Sequence, residues 1–467
     1  VKNAPPTHRG EKKMSKTTIN IGLLGFGNVG MGVLNILTHH ADMLTKRTGK
    51  KFKVTKIVVR DLPKYKDVKL PGIKLTDDAQ SILNDPDIQI IVEAMGGENP
   101  AYTYIKQALI SGKFVVTANK EVISKHKKEF FELAKKHKTD LYFEAAVGGG
   151  IPLIRTIKVG FSANEVQSLY GILNGTTNYV LTQIETENKE FDVALKEAQK
   201  LGFAESDPHM DISGLDTAYK LSILAAVAFN SNIKVSDFYY EGIESITLKD
   251  IQLAKELGYA IKLLAIAYKM GEAGMVFKVH PTMIPFSHPL ASVKNELNAV
   301  FLVGDQVGES MLSGKGAGAS PTGSAIVSDI VDIAFDTKVS RNKDENGKDH
   351  IAITGTEDPL YINKRNLNDE LHDSHLMNIN DTYSQFYIRI LVADTSGALA
   401  KLASVLGEQE VSIAKMIQKD TVKNCAEVVI ITHKVKEEYM KTALKELQNL
   451  NCVEKIEAMI RVGLEEV

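Results

Sequence analysis

Cysteine is nearly missing from this chain: 467 residues contain two, Cys425 and Cys452, both close to the C-terminal end. That argues against a disulfide framework and a cysteine-ligated metal, and it fits a reducing cytoplasm. Residues 1–424 also lack the thiol that a phosphorylating aldehyde dehydrogenase needs to form its thiohemiacetal. Net charge is nearly absent too. Lys and Arg number 56 against 58 Asp and Glu, so electrostatics gives no case for nucleic acid or an anionic membrane surface as partner. No apolar run approaches the roughly 20 residues of a membrane span; Leu221–Phe229 is among the longest, and Ser222 interrupts it. Residues 1–16 carry Pro5-Pro6 and no apolar core. They are expected to be a disordered extension rather than a signal peptide.

What is present points to two to four domains. Residues 17–150 alternate short apolar runs (INIGLLGFG, KVTKIVV, IQIIVEAM, FVVTAN, LYFEAAV) with helical patterns such as PAYTYIKQALISG. That alternation predicts an α/β fold with a doubly wound parallel sheet of Rossmann type. From 151 to 319, strand candidates QSLYGIL, IKLLAIAYKM, GMVFKVHPTMI and NAVFLVG suggest an α+β second domain. The helical pattern over 320–337 is expected to pack back on the first. Residues 338–382 are polar and read as a linker. Residues 383–467 follow β-α-β-β-α-β, a ferredoxin-like unit.

Gly25-Phe26-Gly27-Asn28-Val29-Gly30 follows a strand and opens a helix. The first glycine permits the tight turn, the second lets backbone approach a pyrophosphate, and the third brings helix and sheet close. At the end of the second strand, Arg60 would meet the 2′-phosphate of NADP, which tilts the choice to NADP, whereas Asp61 would bind the ribose hydroxyls of NAD and keeps NAD open. Lys120, after the strand FVV, lies where a Rossmann sheet presents its ligand crevice. Glu144 opens a glycine turn running to Ile151-Pro152, whose carbonyls and carboxylate can ring a hard cation. Asn174-Gly-Thr176-Thr-Asn178 offers amide, hydroxyl and helix-end donors to a substrate carboxylate. Gly314-Lys-Gly316-Ala-Gly318 is a second glycine loop before a helix. Residues 200–220 gather Glu205, Asp207, Asp211 and Asp216 in front of an apolar helix bearing Lys220. Asp216 and Lys220, four apart, share one helical face. A lysine among carboxylates suits proton transfer, and the carboxylates suit a substrate ammonium.

In this order, GFGNVG, TANKE, EAAVGGGIP, GILNGTTNY, KLGFAESDPHMDISGLDTAYK and GKGAG resemble homoserine dehydrogenases of the three-domain type, over residues 18–467. The resemblance implies a nucleotide domain, a catalytic and dimerisation domain, and a C-terminal ACT domain. It implies NAD(P)-dependent interconversion of L-aspartate 4-semialdehyde and L-homoserine in threonine, methionine and isoleucine biosynthesis. Lys220 matches the proton-transfer lysine and Asp216 the acid beside it. Glu205 matches the acid that binds homoserine, and Asp211 another acid of that loop. Lys120 matches the lysine near nicotinamide and substrate. Gly202 and Gly316 match positions that approach the cofactor. Glu144, with backbone at Val147, Gly149 and Ile151, matches a structural sodium site. Asp394-Thr-Ser396-Gly397 resembles the ACT effector loop, with threonine the first candidate effector; the family more often has proline where Ser396 stands. A homodimer or homotetramer is also implied. The competing reading is a non-enzymatic sensor binding NADP and an amino acid, which would leave Lys120, Glu205, Asp216 and Lys220 unexplained.

Overall fold

The computed structural model describes residues 17–343, 349–355, 371–422 and 425–464. The expected extension over 1–16, and 344–348 and 356–370 of the expected linker, lie outside the described residues. Six strands form the first sheet: β1 (Thr18–Leu24), β2 (Lys51–Val58), β3 (Lys74–Thr76), β4 (Ile90–Glu93), β5 (Phe114–Thr117) and β6 (Leu141–Tyr142). Their order is β3-β2-β1-β4-β5-β6, all parallel. This is the doubly wound arrangement that the alternation of apolar runs and helices calls for. The central strands β4 and β5 are buried along their whole length, as a sheet covered on both faces requires. The helix Ala319–Asp336 returns to this domain and packs on the helix Asn28–His39, with Gly32 and Gly323 meeting where the two cross. Its last carbonyls accept the Lys50 ammonium, at Ala334 and Thr337.

The second sheet contains β7 (Val166–Ile172), β8 (Tyr239–Tyr240), β9 (Tyr259–Lys269), β10 (Met275–Pro285), β11 (Leu297–Gly304) and β12 (Gly308–Lys315). β12 was not foreseen in the sequence. Its residues alternate half-buried and exposed along an edge, so it carries no apolar run. The segment expected to be an irregular linker holds an antiparallel pair, β13 (Thr337–Lys343) with β14 (Asp349–Gly355). Its residues 372–377 then bond to Ser231, Asn232 and the start of β10. The last unit follows β15 (Tyr383–Ala393), β16 (Ile413–Val422), β17 (Cys425–Thr432), β18 (Val435–Lys436) and β19 (Val453–Val462), with helices Ala398–Glu408 and Glu437–Gln448 between. β19 pairs in parallel with β10, so the second and third units share one sheet of eleven strands.

β15 explains this union. Phe386, Ile388, Ile390 and Val392 face the core of the last unit, while Tyr387 lies in the core of the middle one. Alternate side chains of a strand serve opposite faces, and here each face belongs to a different domain.

Candidate active site

The carboxyl ends of β1, β4 and β5 lie side by side, in register from Leu24 to Glu93 to Thr117. Gly25 leaves β1 at φ +97°, and a Cβ there would meet the Ala94 carbonyl at 2.5 Å. At Gly27 a Cβ position meets only open space, so nothing obstructs a ligand. No side chain caps the helix Asn28–His39 that follows. Its first N–H groups therefore remain available to an anion, which fits a dinucleotide pyrophosphate. Val29 is half-buried and Gly30 buried. Phe26 is held by Tyr65, whose hydroxyl donates to its carbonyl at 3.0 Å. Tyr65 was not among the expected site residues: it lies on a separate loop, and no motif marks it. Arg60 and Asp61 are exposed after β2; the Asp61 carboxylate accepts weakly from Lys64 N at 3.4 Å.

Next along the crevice, Asn119 caps the helix Lys120–Lys136 by accepting from Val122 N, and its amide donates to Gly97 O at 2.7 Å. The fully buried Glu93 accepts from Met95 N at 2.8 Å and from the Thr117 hydroxyl. Burial pushes the Glu93 carboxyl up despite these donors. Glu93 and Asn119, also missed in the sequence, fix the two loops that frame Lys120.

Lys120 reaches Asp216, its Nζ 2.8 Å from Oδ1. Lys220 lies 2.7 Å from the other oxygen, Oδ2, and also donates to Leu173 O at 2.6 Å. One carboxylate, 1% exposed, thus holds two ammonium groups from two helices. Burial alone would raise the Asp216 carboxyl, but Lys220 and Lys120 overcome it and hold the group well below the usual range. Asp216 in turn raises Lys120 against the opposing effect of burial, with help from Asp211 and Glu205.

Asn174 joins the carboxylates. Its Oδ1 caps the helix Gly175–Glu187 by accepting from Thr177 N at 2.8 Å. Its Nδ2 donates to Asp211 Oδ1 at 2.7 Å and Asp216 Oδ2 at 2.8 Å. The Thr176 hydroxyl is 2.6 Å from Phe203 O and 3.1 Å from Asp211 Oδ2. Asp211 is raised, first by burial and then by the Asp216 charge. Glu205 and Gly202 are exposed on the same loop, Gly202 at φ +77°. Glu205 therefore stays outside the hydrogen-bonded cluster and acts on it through charge.

The Glu144 carboxylate is held by backbone. Both carboxylate oxygens are taken by the N-terminus of the next helix, from Ile154 N at 2.8 Å and Arg155 N at 2.9 Å. Orphan N–H groups at a helix start make a strong donor site, and the carboxylate accepts from two of them. Val147, Gly149 and Ile151 are buried along the turn. Among the described residues no group of three or more His, Cys, Asp or Glu side chains could hold a metal ion. This turn abuts the second glycine loop: Gly150 N donates to Lys315 O at 3.0 Å, and a Cβ on Gly149 would lie 2.3 Å from Gly316 O.

The arrangement agrees with comparisons to known proteins. Residues 25–144 match the family model "Homoserine dehydrogenase, NAD binding domain", 152–331 match "Homoserine dehydrogenase", and 386–452 match "ACT domain". The homoserine dehydrogenase of Synechocystis is 42% identical over 453 residues, covering 95% of this chain and 99% of that one. The crystal structure of a homoserine dehydrogenase from Thiobacillus denitrificans superimposes with a TM-score of 0.86 at 36% identity, covering 96% of this chain and 98% of the other. A hyperthermophilic archaeal homoserine dehydrogenase in complex with NADPH matches with a TM-score of 0.58 at 27% identity, over 68% of this chain and 97% of that one. A crevice for a nicotinamide nucleotide, a lysine pair on one buried aspartate and a fused ACT unit all point the same way: the chain belongs to the homoserine dehydrogenase family, oxidoreductases acting on a CH–OH group.

Proposed function

We propose that the chain interconverts L-aspartate 4-semialdehyde and L-homoserine, and that Lys220 moves the proton. The observation that carries this is the single Asp216 carboxylate shared by Lys220 and Lys120. Lys220 has three N–H donors. Two go to Leu173 O and Asp216, and the third is left for the substrate oxygen. Lys120, raised by Asp216, acts as a fixed positive charge that stabilises the developing alkoxide. Glu205 and Asp211 hold the substrate ammonium, while Asn174 and Thr176 keep Asp211 in place. The nicotinamide, when bound, supplies the hydride.

Four finer assignments accompany this reading. Arg60, exposed at the end of β2, favours NADP over NAD, with Phe26, Asn28, Val29, Gly202 and Gly316 lining the nucleotide's path. A structural sodium ion takes main-chain oxygens at Glu144, Val147, Gly149 and Ile151. The ACT unit binds an effector amino acid, threonine first, in a cavity of about 270 Å³ beside Asp394 and Gly397. The assembly is a homodimer or homotetramer through the middle domain. No helix among the described residues is long and apolar enough to cross a membrane.

The test is NADPH oxidation with aspartate semialdehyde. Wild type should turn over, and Lys220→Ala should lose roughly 100-fold or more in kcat. No turnover in wild type, or full activity in the variant, ends this reading.

A further inference from the structure

Arg461 lies at the seam between the last unit and the catalytic sheet, opposite Thr282 in the β19–β10 pairing. It is 2% exposed. Its Nε and Nη2 grip both oxygens of Glu437 in its own unit, at 2.6 and 2.9 Å. Its Nη1 reaches across to Glu241 Oε2 at 3.4 Å, and its guanidinium lies 5.0 Å from the centre of the Tyr239 ring. Tyr239 donates its hydroxyl to the same Glu241 oxygen, at 2.7 Å. A planar guanidinium can pair and stack at once, which an ammonium cannot.

The segment held in this way is the floor of the substrate loop. Glu241 N donates to Val279 O, and Ile243 N donates to Ile212 O, both at 2.8 Å. A Cβ on Gly242 would lie 1.8 Å from Ile212 O and 2.5 Å from Ser213 Cα. A Cβ on Gly214 would meet Glu241 O at 2.8 Å. Backbone rests on backbone here, with no side chain between to absorb a shift. Ile212–Gly214 makes up three of the four residues between Asp211 and Asp216, so its position sets the spacing of those two carboxylates.

We infer that Arg461 is a positioning residue for the substrate loop, acting through Tyr239 and Glu241 to fix Asp211 against Asp216 and so to set affinity for the amino-acid substrate. The inference rests on the reading of these carboxylates as the substrate site. β19 gives it reach. The strand begins beside the ACT cavity, just after Cys452, whose carbonyl accepts from Ala393 N at 2.7 Å, and Arg461 is its penultimate residue.

The test uses the full chain with Glu241→Gln, which removes the charge facing Arg461, and Tyr239→Phe, which keeps the ring and loses the hydroxyl. The homoserine KM should rise about fivefold or more in Glu241→Gln and by less in Tyr239→Phe. The NADP KM and kcat should stay within about twofold, since Lys220 and the turn Gly25–Gly30 lie outside the stretch that rests on Gly242. Hydrogen exchange of peptides spanning 207–216 should quicken in both variants, a readout that needs no substrate. An unchanged homoserine KM, an equal rise in both KM values, or unchanged exchange overturns the inference. If wild type fails to oxidise homoserine while exchange still quickens, the functional reading is at fault and the positioning stands.

Discussion

Lysines drawn away from solvent in this protein behave according to what faces them. Lys120 meets a carboxylate and is raised by it. Lys127, 2% exposed, meets only Ile233 O at 2.6 Å, Ser124 O at 3.0 Å and the Ser222 hydroxyl at 3.4 Å. Carbonyl dipoles do not offset the loss of water, and burial lowers its pKa to about 8. The sign of the consequence is fixed. Between pH 8 and 10.5 the unfolded chain binds more protons at this lysine than the folded one, so its contribution to stability rises with pH across that window. The shift corresponds to roughly 3 kcal/mol. Lys127→Met removes this titration. Melting curves from pH 7.5 to 10.5 should show wild type gaining on Lys127→Met as pH rises, and parallel curves would refute it.

Among the elements, the helix Gly175–Glu187 connects fold to site most directly, because its cap is also part of the cluster. Asn174 satisfies the orphan Thr177 N–H and bridges Asp211 and Asp216 with one amide nitrogen. Asn174→Ala should therefore do two things. Losing the cap costs about 1 kcal/mol, seen as a modest fall in melting temperature. Losing the bridge leaves the buried Asp216 and the half-buried Asp211 without a common donor, and the homoserine KM should rise about tenfold or more. A variant with a lowered melting temperature but unchanged KM would separate the two roles against this account. Part of this was legible: Asn174-Gly-Thr176 stood out as polar donors at a helix end, and GFGNVG after an apolar run foretold the nucleotide turn. The edge strand β12 and the β13–β14 pair were not, since an exposed edge carries no apolar periodicity. Tyr65 and Glu93 were illegible for another reason. Each acts through a partner on a different loop, and local sequence does not encode that pairing.

Over the whole molecule, the last unit is joined to the catalytic domain by buried charge as well as by the shared sheet. Arg389 grips Asp250 of the helix Leu248–Glu256, with Nε to Oδ1 at 2.7 Å and Nη2 to Oδ2 at 3.2 Å, and Tyr387 donates to Oδ1 at 3.2 Å. Arg389→Ala would leave Asp250, 0% exposed, without its counter-ion. The expected cost is about 3–5 kcal/mol, visible as a lower melting temperature and easier proteolysis between the two units. Unaltered stability would show the joint to be carried by the strands alone.

The sequence by itself determined the domain order, the nucleotide turn and the lysine four residues from its aspartate. Each depends on local spacing: the two-residue period of strands, the 3.6-residue turn of helices, and glycine where the backbone must bend. The scarcity of cysteine likewise excluded thiol chemistry before any fold was known. Only the tertiary structure decided that Asp216 serves Lys120 as well as Lys220, because those lysines come from helices of different domains. It also turned the Glu144 carboxylate toward the helix start at Ile154 and Arg155, and it ran the ACT strands into the catalytic sheet. In each case the partner is distant in sequence, and packing of one domain against another chooses it.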